Sequence, residues 1–220
     1  MLDRTIPFAV FLVLTFCQNY FGETGRYWFY LGKTLVGAGM IWMACPFIAE
    51  MRWKISFEAL AVGIAVFVIW IGLGDALRWL GINPSFTELK VAPGKIWNPF
   101  ETYCCGSAQA EFFVGLRILG ATLVVPPLEE VFFRSFLYRY LAKADFQSVP
   151  LGAFLPRPFL ITSVIFGFEH REWLAGILCG FAYQGLVCRT KRLGDAITAH
   201  ALTNFLLGIW VVWKGAWHFW

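Results

Sequence analysis

Long apolar stretches alternate with short polar connections along most of the chain. A helix needs about twenty apolar residues to cross the hydrocarbon core of a bilayer, and most of these stretches approach that length. The apolar runs are continuous rather than alternating with polar positions, which disfavours a membrane β-barrel. We therefore expect an all-α, polytopic transmembrane bundle. Its predicted spans lie near residues 6–21, 27–49, 56–74, 110–141, 155–171, 172–189 and 193–213.

Composition strengthens the membrane prediction. Of the 220 residues, 59% are hydrophobic and 15% are charged, whereas a soluble domain has about 25% charged residues. The net charge of +4 is spread over short basic groups, which is typical of cytoplasmic loops and does not indicate a nucleic-acid partner. We expect residues 1–220 to form a single integral-membrane domain.

The basic residues in the loops predict the orientation of the chain, because cytoplasmic loops carry an excess of Lys and Arg. The cluster that indicates the orientation most strongly consists of Arg189, Lys191 and Arg192. Placing it inside makes the N-terminus cytoplasmic and the C-terminus external. The inner loops then also hold Arg4, Arg52, Lys54, Arg139, Lys143 and Arg157, and the outer loops hold Arg26, Lys33, Arg78, Lys90, Lys95 and Arg171.

The longest polar connection runs from about Leu80 to Ala108 and contains Pro84, Pro93, Gly94 and Pro99. An outer loop of this length would either cap a cavity in the bundle or serve as a plain connector. The plain connector is the simpler interpretation, although loops longer than about 12–15 residues are often functional.

Two adjacent carboxylates lie within the fourth apolar stretch. Glu129 and Glu130 are followed by Arg134, and ionisable groups at membrane depth are costly enough to suggest a functional site. Glu130 and Arg134 are an i,i+4 pair on one helix face, so we expect the arginine to neutralise Glu130. Glu129 points about 100° away from Glu130 and would face a cavity. Two prolines at 126–127 predict that the helix kinks or restarts just before the pair.

Three further polar residues lie in later apolar stretches. His170 closes a segment that begins at Phe166, and we expect Phe166 to pack against a neighbouring helix. His200 and Asn204 are an i,i+4 pair and share a helix face. Each feature also has a structural interpretation: a salt-bridged glutamate pair, an interfacial histidine, or a hydrogen bond between helices worth about 1 kcal/mol.

Taken together, these residues fit hydrolysis of a peptide bond. Glu129 and His170 would hold and deprotonate a water, while His200 and Asn204 would donate to the developing oxyanion. The sequence has no serine nucleophile elbow and no His-Glu-x-x-His zinc helix. Zinc held by Glu129, His170 and His200 is a less favoured alternative, because neither histidine has an identifiable carboxylate partner. We therefore expect no cofactor.

The same residues resemble the three motifs of the CPBP family, the type II CAAX prenyl endopeptidase-like (Abi) proteins. The motifs are Glu-Glu-x-x-x-Arg at 129–134, Phe-x-x-x-His at 166–170 and His-x-x-x-Asn at 200–204. The resemblance covers residues 110–212 and implies a protease core there. It implies catalytic roles for Glu129, His170, His200 and Asn204, and supporting roles for Glu130, Arg134 and Phe166. Family members commonly have eight spans, so the resemblance leaves eight spans as an alternative to the predicted seven.

The aromatic C-terminal segment and the residues after the glutamates resemble the subgroup associated with bacterial exosortase and PEP-CTERM sorting. This resemblance implies an inner-membrane protein with a functional link to an exosortase and a membrane-anchored protein or peptide as substrate. The alternative is a non-proteolytic immunity or scaffold protein with the same fold. A transporter is disfavoured, because the apolar spans show no inverted-repeat symmetry.

Overall fold

The computed structural model describes residues 1–87 and 96–220, which are helical throughout their regular parts. The helices, in chain order, are α1 (Leu2–Cys17), α2 (Gly22–Ala44), α3 (Phe57–Trp79), α4 (Pro99–Tyr103), α5 (Ala108–Leu123), α6 (Val125–Glu130), α7 (Tyr138–Ala142), α8 (Pro156–Phe168), α9 (Trp173–Thr190) and α10 (Leu193–Lys214). A π-helical segment, Val131–Leu137, joins α6 to α7. The prediction of an all-α bundle is confirmed.

Each predicted span coincides with a helix, but the helices differ in their ability to cross a membrane. Within the described residues, three helical stretches are long and apolar enough to do so: α3, Ala108–Ala142 (which runs from α5 to α7), and α10. Helix α8 is apolar but shorter. It is separate from α9, as the predicted boundary between the fifth and sixth spans requires. The total of seven spans and the cytoplasmic N-terminus stay predictions.

Beside its buried apolar core, the bundle exposes many large apolar side chains and buries several charged ones. Helix α3 exposes large apolar side chains, with Phe57 84% and Trp79 86% exposed. Charged side chains lie inside instead, with Glu130 and Arg134 almost completely buried. Exposed apolar surface of this extent marks a lipid or partner interface, which agrees with a membrane-embedded bundle.

The fourth predicted span is interrupted as the prolines predict. Helix α5 ends at Leu123, and α6 restarts at Val125 with Pro126 and Pro127 in its first turn. Proline is tolerated there because first-turn donors have no helical acceptor. Regular α-helical spacing does not continue past Glu130, because the π-helical segment follows. Such π segments are frequent at functional sites.

Small residues allow α8 and α9 to pack closely as an antiparallel pair. A Cβ atom added to Gly180 would lie 2.8 Å from the Ser163 backbone, and one added to Gly167 would collide with Ile177. The two backbones can therefore approach each other only with glycine at these positions. This contact fixes the short turn 169–172 between the helices, and that turn carries His170.

In its described residues, the long connection before α5 contains short helical elements. It forms a short 3₁₀ turn at Pro84–Thr87 and then helix α4, which Asn98 caps by accepting from the Phe100 backbone N–H. Trp97 is buried. The predicted loop residues Lys90, Pro93, Gly94 and Lys95 lie outside the described residues.

Candidate active site

Glu130 and Arg134 form the ion pair that their spacing predicts. Arg134 Nε lies 3.1 Å from Glu130 Oε2, and both side chains are fully buried. The predicted pairing of Arg134 with Glu130 is confirmed, and the carboxylate has a second partner. The other oxygen of Glu130, Oε1, lies 3.0 Å from His200 Nδ1. Glu130 therefore joins the third motif to the first.

His200 lies between the two adjacent glutamates. Its Nδ1 faces Glu130, and its Nε2 lies 3.9 Å from Glu129 Oε2. One face of the imidazole stacks on Tyr183, with ring centroids 5.1 Å apart and an interplanar angle of 20°. Tyr183 in turn donates from its hydroxyl to Thr203 Oγ1. These contacts fix both the position and the plane of the His200 ring.

Glu129 lies next to His200, which lines the cavity: Glu129 Oε2 is 3.9 Å from His200 Nε2. Its Oε2 is buried and has no hydrogen-bond partner among residues 1–87 and 96–220. A buried carboxylate oxygen without a partner still has capacity to bind water or a substrate group.

His170 lies just past the end of α8, where its backbone N–H donates to the Gly167 carbonyl. Its Nδ1 lies 2.8 Å from the Phe166 carbonyl oxygen. Because a carbonyl only accepts, Nδ1 carries the hydrogen, and in the neutral ring Nε2 keeps a free lone pair. That tautomer suits a general base.

Phe166 packs between the two histidines. Its ring centroid lies 4.8 Å from that of His170 and 6.0 Å from that of His200. The Arg134 guanidinium carbon lies 4.2 Å from the same centroid. Edge contact with Phe133 confirms the predicted packing of Phe166 against a neighbouring helical segment.

Asn204 contacts the interrupted helix directly. Its Nδ2 donates to the Ala121 carbonyl at 2.8 Å, in the last turn of α5, where carbonyls begin to lose their helical donors. An amide nitrogen has two hydrogens, so this contact leaves one N–H for a ligand. The contact also ties α10 to the break in the helix.

A cavity of about 210 Å³ is lined by four of the predicted site residues: Phe166, His170, His200 and Asn204. Helices α3, α5, α8, α9 and α10 contribute to it, together with the C-terminal segment. Sequence reasoning missed Trp70, Arg117 and Trp220, which also line it. Trp70 packs on His170 with centroids 5.4 Å apart. For Arg117, the sequence did offer a signal, because it is a lone arginine in an apolar helix.

Glu169 is a second residue that sequence reasoning missed. It directly precedes His170, and its buried Oε2 lacks a hydrogen-bond partner within the described part of the chain. It lies close enough to Glu129 for their charges to interact. An acidic residue next to a candidate catalytic histidine was the signal available in the sequence.

The contacts of His200 correct the argument that was made against zinc. Zinc was disfavoured because no carboxylate partner was identifiable for either histidine, yet Glu130 is such a partner for His200. Carboxylate contacts of this kind orient metal-bound histidines in other proteins. In residues 1–87 and 96–220, no three His, Cys, Asp or Glu side chains are grouped closely enough to hold a metal ion.

Comparisons with known proteins agree with the motifs. Residues 111–206 match the family model described as type II CAAX prenyl endopeptidase Rce1-like. Over 95 residues, the chain is 35% identical to the protein named "Putative membrane peptidase YdiL" of Bacillus subtilis (strain 168). That alignment covers 41% of this chain and 35% of the relative, so it spans about a third of the relative's length. No solved structure gives a significant match.

Proposed function

We propose that this chain is a glutamate-dependent intramembrane endopeptidase of the CPBP family, a proposal supported by the similarity of residues 111–206 to the Rce1-like family model. The single observation that carries the proposal is the position of His200. It contacts Glu130, approaches Glu129 and lines the cavity that His170 and Asn204 share. Residues from three motifs therefore meet at one buried polar site, as hydrolysis of a peptide bond requires.

In the proposed reaction, Glu129 and the Nε2 atom of His170 hold a water at the edge of the His200 ring. Glu129 accepts one proton of this water as the oxygen attacks the carbonyl carbon of the scissile bond, while His170 Nε2 accepts a hydrogen bond from the other O–H. The remaining Asn204 N–H and an N–H of His200 donate to the oxyanion of the tetrahedral intermediate. Collapse of the intermediate breaks the C–N bond, and the proton taken from the water passes to the leaving amine.

The surrounding side chains orient the catalytic imidazoles and do not act on the substrate. Glu130 holds His200 through Nδ1, and Arg134 balances the charge of Glu130 inside the bundle. Phe166 separates the two imidazoles and covers the guanidinium of Arg134. These contacts would restrict the imidazoles to orientations suited to reaction, which is the main protein contribution in preorganised sites.

The proposed substrate is a membrane-anchored protein or peptide that enters the bundle and is cut near its C-terminal end. The exosortase resemblance further suggests an inner-membrane location and a substrate exported by that sorting system. Water activation by side chains, without a metal ion, belongs to the same proposal.

The proposal is tested with purified full-length protein and a quenched-fluorescence library of apolar peptides. We expect Glu129→Gln and His170→Ala each to lower the rate of cleavage by about 10²- to 10⁴-fold, because each removes a proton-transfer group. The exposed Glu111 provides the matched control, and Glu111→Gln should cleave at the wild-type rate. A metal chelator should leave the wild-type rate unchanged.

Two outcomes would contradict this scheme. Full activity in Glu129→Gln would remove the glutamate from the chemistry and favour the scaffold alternative. Loss of activity with chelator, restored by added zinc, would replace side-chain activation of water by metal chemistry.

A further inference from the structure

Exposed cations are concentrated at the end of the bundle where α3 and α10 begin. The residues just before α3 supply Arg52 and Lys54, and the turn before α10 supplies Lys191 and Arg192. Arg189, in the last turn of α9, adds a fifth cation. These five residues are here called the basic surface, and none of them takes part in the proposed reaction.

The fold holds the two segments of the basic surface against each other. A Cβ atom added to Gly194 would collide with the Arg52 carbonyl oxygen, so only glycine allows this approach. The buried Asp195 carboxylate accepts from Ser56 Oγ at 2.9 Å and from Arg192 Nε at 2.8 Å. The cations before α3 and those before α10 therefore belong to one surface.

Most of the positive charge on the basic surface is not balanced by the chain. Arg52 and Lys54 make no ion pair and no side-chain hydrogen bond with any residue that the structure describes. Lys191 donates to a backbone carbonyl, which does not cancel its charge. Arg192 contacts Asp195 through Nε, and its side chain is 46% exposed.

The other carboxylates of these segments do not supply the missing counter-charge. Glu50 is paired with Arg4 and Arg139. Glu58 is half-buried in the first turn of α3. Five cations thus share two carboxylates, Asp195 and Glu58, so an anion from outside the chain is the expected partner.

The position of the basic surface is the level of lipid headgroups. Helices α3 and α10 are both long and apolar enough to cross a bilayer. They run parallel, since their starts are in contact and, further along, Thr203 Oγ1 donates to the Gly63 carbonyl at 2.9 Å. Both starts therefore lie at one membrane surface. The exposed Trp53 and Ile55 alternate with the cations there, and tryptophan is typical of the membrane interface.

We propose that the basic surface binds the phosphate of an anionic phospholipid, whose acyl chains lie against the exposed Ile55 and Phe57. Basic groups at the ends of membrane helices attract anionic headgroups, and a guanidinium forms two parallel hydrogen bonds with a phosphate. The bound lipid would link the start of α3 to that of α10, the helix that carries His200 and Asn204. The inference does not depend on the proposed protease activity.

Native mass spectrometry tests the inference, because it resolves protein with no lipid from protein with one. The full-length protein in neutral detergent is titrated with dioleoyl phosphatidylglycerol or with dioleoyl phosphatidylcholine, which has the same acyl chains and a zwitterionic headgroup. We expect the first phosphatidylglycerol to bind about 100-fold more tightly than the first phosphatidylcholine, since each cation beside an anionic headgroup contributes a factor of about 5.

Paired substitutions show which cations produce this preference. Arg52→Gln with Lys54→Gln should lower it by about 25-fold, a factor of about 5 for each lost cation. Arg52→Lys with Lys54→Arg keeps both charges and should keep most of the preference. The matched control is Arg78→Gln with Lys214→Gln, which removes the same charge from the last turns of the same two helices. It should keep the full preference.

Equal binding of the two lipids to the wild type would overturn the inference. An equal loss of preference in the two glutamine double variants would also overturn it, because net charge alone would then explain the binding. Displacement of phosphatidylglycerol by an equal concentration of glycerol 1-phosphate would assign the surface to a soluble phosphate and contradict the lipid. None of these measurements uses cleavage, so a protein without protease activity that keeps the preference would still support the inference.

Discussion

Two polar clusters each draw residues from the stretch 125–142, and they use their charges differently. The first, here the rim cluster, consists of Arg4, Glu50, Ser135 and Arg139. Glu50 Oε1 accepts from Arg4 at 3.0 Å, from Ser135 Oγ at 2.6 Å and from Arg139 at 2.8 Å. One carboxylate oxygen thus joins α1, the turn after α2 and the end of the interrupted helix.

The second, here the cavity cluster, consists of Glu129, Glu130, Arg134 and His200. It is more deeply buried, yet it leaves more of its polar atoms without hydrogen bonds in the described part of the chain. Glu129 Oε2 has none, and the 3.1 Å contact between Glu130 and Arg134 is an ion pair without hydrogen-bond geometry.

The comparison separates two uses of buried charge. Saturated hydrogen bonding, as in the rim cluster, is what a structural cross-link requires. Buried polar atoms without partners are uncommon in native proteins, and each calls for an explanation such as a ligand or a catalytic role. We therefore expect substitutions in the rim cluster to change stability alone, and those in the cavity cluster to separate stability from activity.

The largest effect on stability is expected for Arg134→Ala. It leaves the buried Glu130 without its cation, and breaking a buried pair in this way costs about 3–5 kcal/mol. The free energy of unfolding in mixed detergent micelles measures this loss. Arg78→Ala is the matched control, since its exposed pair with Asp75 is worth less than about 1 kcal/mol. Wild-type stability in Arg134→Ala would contradict the buried ion pair.

A smaller loss is expected for Glu50→Gln in the rim cluster. The substitution weakens hydrogen bonds to two arginines, and a hydrogen bond to a charged group contributes about 1.5–3 kcal/mol. Peptide cleavage per folded molecule should equal that of the wild type, because Glu50 lies outside the cavity cluster. Reduced cleavage at unchanged stability would show that the rim cluster also takes part in function.

The smallest effect concerns pH and again involves Glu50. Burial raises the pKa of this carboxyl, but hydrogen bonds and charges from Ser135, Arg4 and Arg139 outweigh burial, and the net pKa is lowered. A lowered folded-state pKa stabilises the protein above the ordinary glutamate value of 4.5, and this contribution is lost as pH falls through the folded pKa.

Unfolding free energies measured as a function of pH test this expectation. The difference in stability between wild type and Glu50→Gln should shrink as pH decreases below 4.5. A difference that stays constant over that range would show that the ionised carboxylate is not the stabilising form.

Local patterns were sufficient to predict most of the helical framework. Continuous apolar stretches predicted the long helices, because the bilayer requires helices that satisfy their own backbone hydrogen bonds. Pro126 and Pro127 predicted the restart of the fourth span, since proline lacks a backbone donor. The spacing of Glu130 and Arg134 predicted their pairing, which depends only on neighbours one turn apart.

Contacts between helices were decided by the tertiary structure alone. The sequence gives no distance between His200 and the glutamates 70 residues earlier, and only the packing of α10 against α6 brings Glu130 within 3.0 Å. The same packing brings His200 Nε2 to 3.9 Å from Glu129 Oε2, which helical angles alone did not indicate. Arg117 and Trp220 join the cavity wall for the same reason, because side chains distant in sequence meet only once the helices are packed.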